Sequence, residues 1–157
     1  MGTQQILLIV LSVIIVGAAI AVGIQMFNSQ AYSANKSAIA ADAQSYASQI
    51  VQYYKTPESQ GGAGTPTAAM TAADIGKFIG WGGATLSDKN ENGDYVITVT
   101  DASEVIVYGL GKEVKDGKRP AVQTKVTLAS GEINAKVIDT TETTASGLDN
   151  SDFTTSD

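Results

Sequence analysis

From Ile6 to Ile24 the chain reads ILLIVLSVIIVGAAIAVGI, a run in which only Ser12 carries a polar side chain. No Asp, Glu, Lys or Arg occurs before Lys36. At a rise of about 1.5 Å per residue, about 20 such residues form a helix that crosses a hydrocarbon layer of about 30 Å. A cleavable secretory signal fits poorly, because no basic residue precedes the run and it exceeds the usual length of about 7–15 apolar residues. A helix that is apolar all round must bury itself in lipid or against copies of itself.

Helical patterning continues beyond the apolar run. From Asn28 to Lys55 there is neither Pro nor Gly, and Tyr32, Ile39, Ala43, Tyr46, Ile50 and Tyr53 recur at spacings of 7, 4, 3, 4 and 3. That is one face of an amphipathic helix, with Lys36, Asp42, Gln44, Gln49 and Gln52 expected on the opposite face. The expectation is one helix over residues 1–55, roughly 80 Å long. It ends at Thr56-Pro57, because the residue before a proline is pushed out of the helical region. Gly17 and Gly23 are either points of local unwinding, Gly23 ahead of Gly17, or small residues that let helices approach closely.

Residues 56–83 read as a connecting segment. PESQGGAGTPT has turn-rich composition and no periodicity. MTAADIGKFIGW reads as a short helix with Thr71 as its N-cap, Asp74 in the first turn and Ile75, Phe78 and Ile79 as its apolar face. Residues 84–157 read as a head. DYVITVT and EVIVYGL are strand-like, and AVQTKVTLASGEINAKVID is a hairpin turning at ASGE. The fold class is therefore α+β: a long N-terminal helix packed through Tyr32, Ile39, Tyr46, Ile50 and Tyr53 on an antiparallel sheet of about four strands. The other face of the sheet is expected in water or against a neighbouring subunit. From Asp139 the chain is acidic and rich in Thr and Ser, a composition that stays disordered unless packing between subunits orders it.

Composition removes most enzyme chemistry. The 157 residues include no Cys and no His, which excludes disulfides, Cys/His zinc sites and imidazole acid–base catalysis. Asp88 with Asp94, and Asp101 with Glu104, fall near expected turns without a nucleophilic or basic neighbour, so neither catalysis nor a cofactor is expected. The net charge of −6 with a single arginine, Arg119, gives no footprint for nucleic acid. In DKNENGD, Asp88, Asn90, Asn92 and Asp94 place oxygen atoms at alternating positions like a calcium loop. The twelfth position is Val99 and no second helix follows, so a hairpin turn is the favoured reading. Asn35-Lys36-Ser37 matches a glycosylation acceptor, although it falls mid-helix.

A hydrophobic N-terminal helix that continues into an amphipathic half, followed by a small antiparallel sheet, resembles the type IV pilins. QQILLIVLSVIIVG, QIVQYYK with GGAG, and GDYVITV carry the resemblance. It implies insertion in the cytoplasmic membrane, trimming by a prepilin peptidase and extrusion by a pilus assembly machinery into an extracellular filament, a homopolymer whose core is a bundle of these helices. The implied assembly residues are Met1, Gln4, Gln5, Ile6, Leu7, Ile9, Val10, Val13, Ile14, Val16, Gly17, Ile20, Gly23, Ile24 and Phe27. Two departures stand out. Gln5 occupies the position where many members carry a glutamate, if Met1 is the mature first residue, and no proline precedes Pro57. The expected function is the major structural subunit of such a filament. A minor pseudopilin or membrane-anchored binding module of a secretion or uptake machine stays open, as does a viral coat protein, which the acidic balance opposes.

Overall fold

The computed structural model describes residues 2–81 and 87–154; Met1 and the expected boundary at 83/84 lie outside them. One helix, α1, runs unbroken over Gly2–Lys55, 54 residues or about 81 Å. Neither Gly17 nor Gly23 unwinds it. Each glycine costs about 1 kcal/mol relative to alanine, too little to interrupt a helix with no proline in it. Glycine matters more just beyond the helix. The loop after Pro57 folds back so that the Ala63, Gly64 and Thr65 amides donate to the carbonyls of Tyr53, Thr56 and Tyr54, each at 2.9 Å. Gly62 lies so close to Thr56 in this return that any Cβ would overlap the Thr56 carbonyl. The segment read as irregular is thus ordered by satisfying the end of α1, and it includes a 3-10 turn at Glu58–Gln60.

A second helix, α2, spans Ala72–Phe78, with the Thr71 hydroxyl accepting from the Asp74 amide at 3.2 Å. Ile75 enters the core. Phe78 is largely exposed, its ring tilted against Tyr53 at 5.0 Å.

Five strands follow: β1 (Ser87–Lys89), β2 (Gly93–Val99), β3 (Glu104–Gly111), β4 (Arg119–Thr127) and β5 (Glu132–Thr140). They form one antiparallel meander in sequence order. The sheet therefore has five strands instead of four. Ser87-Asp88-Lys89 lacks any apolar alternation, and it pairs as an edge strand because the Asn90–Asn92 turn brings it onto β2, with Lys89 and Asp94 bridged at 2.9 Å.

One sheet face meets α1. Ile39, Ala43, Ala47 and Ile50 of the helix are fully buried against Tyr95, Ile97, Val105, Val107, Val122 and Val126. The two alanines let the helix axis approach the sheet, while Tyr46 packs edge-on to Trp81 and Tyr95 at 5.2 and 5.1 Å. The outer face is covered too, by the chain's own C-terminal segment. Ala145, Leu148 and Phe153 close over Ile106, Tyr108, Leu110 and Ala121. This corrects two expectations, the open outer face and the tail ordered only by other subunits. Three apolar residues in an acidic stretch suffice because β3 and β4 present an apolar outer surface to receive them. Turns satisfy the acidic groups locally: the Ser151 amide donates to Asp149 Oδ1 at 2.7 Å. Lys136 Nζ donates to the Phe153 carbonyl at 2.6 Å, and the Gln123 amide donates to Asn150 at 3.0 Å.

Phe153→Ala is expected to destabilise the head by about 3 kcal/mol and to release the tail. The check is limited proteolysis, in which cleavage between residues 141 and 154 should accelerate while β1 to β5 stay protected.

Candidate functional site: an exposed apolar helix

The head grips only the second half of α1. Of the apolar residues between Ile6 and Phe27, fifteen large ones are each at least 50% exposed. Burying such a side chain is worth about 1.5 kcal/mol or more, so leaving them in water costs on the order of 20 kcal/mol. That exceeds the net stability of about 5–15 kcal/mol typical of a folded domain. The surface therefore has to be covered by something other than this head.

From Ile6 onward the backbone of this half needs nothing from its surroundings, because each amide has a carbonyl four residues back within the helix; the amides of Gly2–Gln5 are the unpaired first turn. The one hydroxyl, Ser12 Oγ, donates to the Leu8 carbonyl at 2.7 Å. Gln4 and Gln5 are exposed near the start. Gly17 lies between Val13, Val16 and Ile20 in a shallow groove along the helix, with open space where a Cβ would stand. Gly23 has the same open surroundings.

Polar latches fix where the free half begins. Asp42 Oδ2 accepts from Asn90 Nδ2, Asn92 Nδ2 and the Tyr95 hydroxyl, each at 2.8 Å. Asp139 Oδ1 accepts from Lys36 Nζ at 2.8 Å and the Tyr32 hydroxyl at 2.9 Å. Asn35 Nδ2 donates to the Asn92 carbonyl at 2.7 Å, and Lys115 Nζ reaches Ser29 Oγ at 3.1 Å. Lys36 and Asp42, expected on the solvent face, are half-buried at the seam instead. Each is three residues from Ile39, which places it on the flank of the packed face.

Electrostatics follow from these contacts. Burial alone raises the Asp42 carboxyl, but its three hydrogen bonds outweigh burial and hold it below the usual carboxylate range. The Lys36 bond holds Asp139 low as well. Burial, reinforced by hydrogen bonds to Asp42 and Asp139, pushes the Tyr95 and Tyr32 hydroxyls above the ordinary tyrosine value.

The other sites picked out by sequence sort clearly. Tyr32, Ile39 and Ile50 are buried, and Tyr46 and Tyr53 pack at the rim of the helix–sheet core. Asp88, Asn90, Asn92 and Asp94 build the β1–β2 hairpin. Asn90 Oδ1 accepts from the Asn92 and Gly93 amides at 2.8 and 2.9 Å, Asp88 accepts from the Tyr46 hydroxyl at 3.3 Å, and Asp94 pairs with Lys89. Among the described residues no group of three or more His, Cys, Asp or Glu side chains converges. Asn35, the glycosylation candidate, has its amide engaged at the seam. Asp42, Asp139 and the β3–β4 connection escaped sequence reading, although Asp116-Gly117 between lysines was a turn signal.

Asp42 and Asp139 are held low, so their contribution is present above about pH 4 and is lost as pH falls through their lowered values. Tyr95 and Tyr32 are held high, so their contribution is present below about pH 10 and is lost as pH rises above it. Asp42→Ala is expected to cost about 2 kcal/mol, since it leaves the buried Tyr95 hydroxyl unpaired, and to flatten the acid limb. Denaturant titrations from pH 3 to pH 7 check both. Comparison with known proteins leaves the inference on this geometry alone: no family model, curated protein or solved structure matches the chain.

Proposed function

We propose that this chain is the major structural subunit of a type IV pilus-like extracellular filament, polymerising through the apolar half of α1. One observation carries the reading: the helical segment Ile6–Ile24, about 28 Å long, is apolar on every side, internally satisfied and uncovered by its own head. A helix bundle of many copies buries all sides of it at once. The segment also suits residence in the cytoplasmic membrane before assembly, because its length matches the hydrocarbon layer. The resemblance to type IV pilins supplies the rest of the proposal, namely a prepilin peptidase, an assembly machinery and export to the cell surface. If Met1 is the mature first residue, Gln5 offers an amide where many pilins offer a carboxylate, and either the terminal amine is hydrogen-bonded by Gln4, Gln5 and backbone carbonyls or the registration of subunits differs from theirs. Gly17 and Gly23 then act as close-approach positions between helices.

A membrane-anchored module uses the same helix as a single copy, and abundance separates the two. Electron microscopy of material sheared from the source cells should show uniform thin fibres composed of this protein. Ile14→Lys should abolish the fibres while leaving the variant in the membrane fraction. One central lysine costs about 3 kcal/mol on insertion, whereas the Leu, Ile and Val residues around it contribute about −0.3 to −0.6 kcal/mol each. Abundant normal fibres built of Ile14→Lys subunits would contradict the proposal, and wild-type protein found only in membranes would favour the anchored module.

A further inference from the structure

The connection between β3 and β4 is the most basic stretch of an acidic protein. Lys112, Lys115, Lys118 and Arg119 face Glu113 and Asp116 within eight residues, a local net charge of +2 on a chain of −6. Among the described residues none of the four cations forms an ion pair. The stretch is rigid. Asp116 and Gly117 both have positive φ, 52° and 75°, and the Lys115 and Lys118 backbones exchange two hydrogen bonds at 2.9 Å, closing a tight two-residue turn. Lys112 Nζ donates to the Asn90 carbonyl, and Arg119 donates to the carbonyls of Gly111 and Lys112 at 3.3 and 3.4 Å.

Its position is specific. Lys115 reaches Ser29, two residues beyond the end of the apolar run at Phe27. Val114, 54% exposed, shares a cleft of about 580 Å³ with Val22 and Met26 of the apolar helix. With Ile6–Ile24 filling the hydrocarbon layer, about 28 Å of helix, residues 25–29 stand in the headgroup layer. Lys115 stands there with them and Lys118 is paired beside it, whereas Lys112 and Arg119 lie further along α1 at the level of Asn35; Val114 lines the cleft beside Val22 and Met26.

We propose that the β3–β4 tip, through Lys115, Lys118 and Val114, docks the head on anionic lipid headgroups while the chain is membrane-inserted. This rests on the reading that the apolar half of α1 inserts in a bilayer. The acidic balance of the chain does not oppose it. Asp101 and Glu104 lie at the other end of β3, about 25 Å away, several times the screening length of about 8 Å at physiological salt. Glu113 and Asp116 are the acids within the tip; Asp139 lines a cleft with Lys115 and Lys118 but is already paired with Lys36, so the cations outnumber the unpaired acids. Each cation removed should weaken docking about fivefold.

The absence of native cysteine makes the test direct. The full chain is reconstituted in vesicles of phosphatidylcholine alone or with about a third phosphatidylglycerol, carrying a polarity-sensitive dye on a single cysteine at Val114→Cys or, separately, Ser12→Cys. Lipid-borne quenchers report depth. The Ser12 probe should be deep in both vesicles. The Val114 probe should enter the headgroup region only with phosphatidylglycerol, should leave it at high salt, and should lose the shift when Lys115 and Lys118 are changed to Gln with β1 to β5 still protected from proteolysis, while Lys→Arg at both positions keeps it. A deep Ser12 probe with an aqueous Val114 probe in both vesicles would overturn the docking inference and leave insertion standing. An aqueous Ser12 probe would remove both. Protection of Val114 that tracks protein density instead of lipid charge would assign the cleft to a second copy and overturn lipid docking.

Discussion

Everything in this molecule is arranged around about 27 residues of helix that its own fold does not cover. A head of this size could have folded its sheet over a shorter helix, or wrapped its tail around the apolar half. It does neither. The tail spends its three apolar residues, Ala145, Leu148 and Phe153, on the far side of the sheet. The head is thereby complete without the apolar half of α1, and the apolar half is left to whatever surrounds the molecule. The helix is continuous through Gly17 and Gly23, so head and apolar segment share one helix.

The junction is where opposing requirements meet. From Ile6 to Ile24 the helix shows one polar side chain, Ser12, whereas beyond Ser29 it holds a polar head. The transition is made by side chains that each bond a polar group across the seam: Lys36 and Tyr32 on Asp139, Asn35 on the Asn92 carbonyl, and Asp42 on three donors. Asp42 is the most consequential of these. Its single oxygen joins α1 to the β1–β2 turn through Asn90 and Asn92 and to β2 through the fully buried Tyr95, so one carboxylate ties this edge of the sheet to the helix.

How much of this could be read in advance depended on whether the signal was local. The helix, its packed face and its end at Pro57 were legible because spacing at Tyr32, Ile39, Ile50 and Tyr53 and the proline rule act along the chain. The Thr71 cap and β2 to β5 were legible for the same reason. What escaped notice was set by partners distant in sequence. β1 exists because the Asn90–Asn92 turn lays Ser-Asp-Lys on β2, and no propensity marks it. The tail is ordered because Phe153 finds Tyr108, a contact that composition averaged over an acidic stretch cannot show. Lys36 and Asp42 looked like solvent-face residues because their partners, Asp139 and the Asn90–Tyr95 stretch, lie about 50 to 100 positions on.

The central claim is that copies of the apolar helix bury one another. It is tested most directly by cysteine cross-linking at Val13→Cys in fibres from the source cells, with oxidation before denaturation. A ladder of covalent oligomers, absent from the same variant diluted in detergent, is the expected result. Monomer alone from intact material, with Val13→Cys still reactive to a water-soluble thiol reagent, would contradict it.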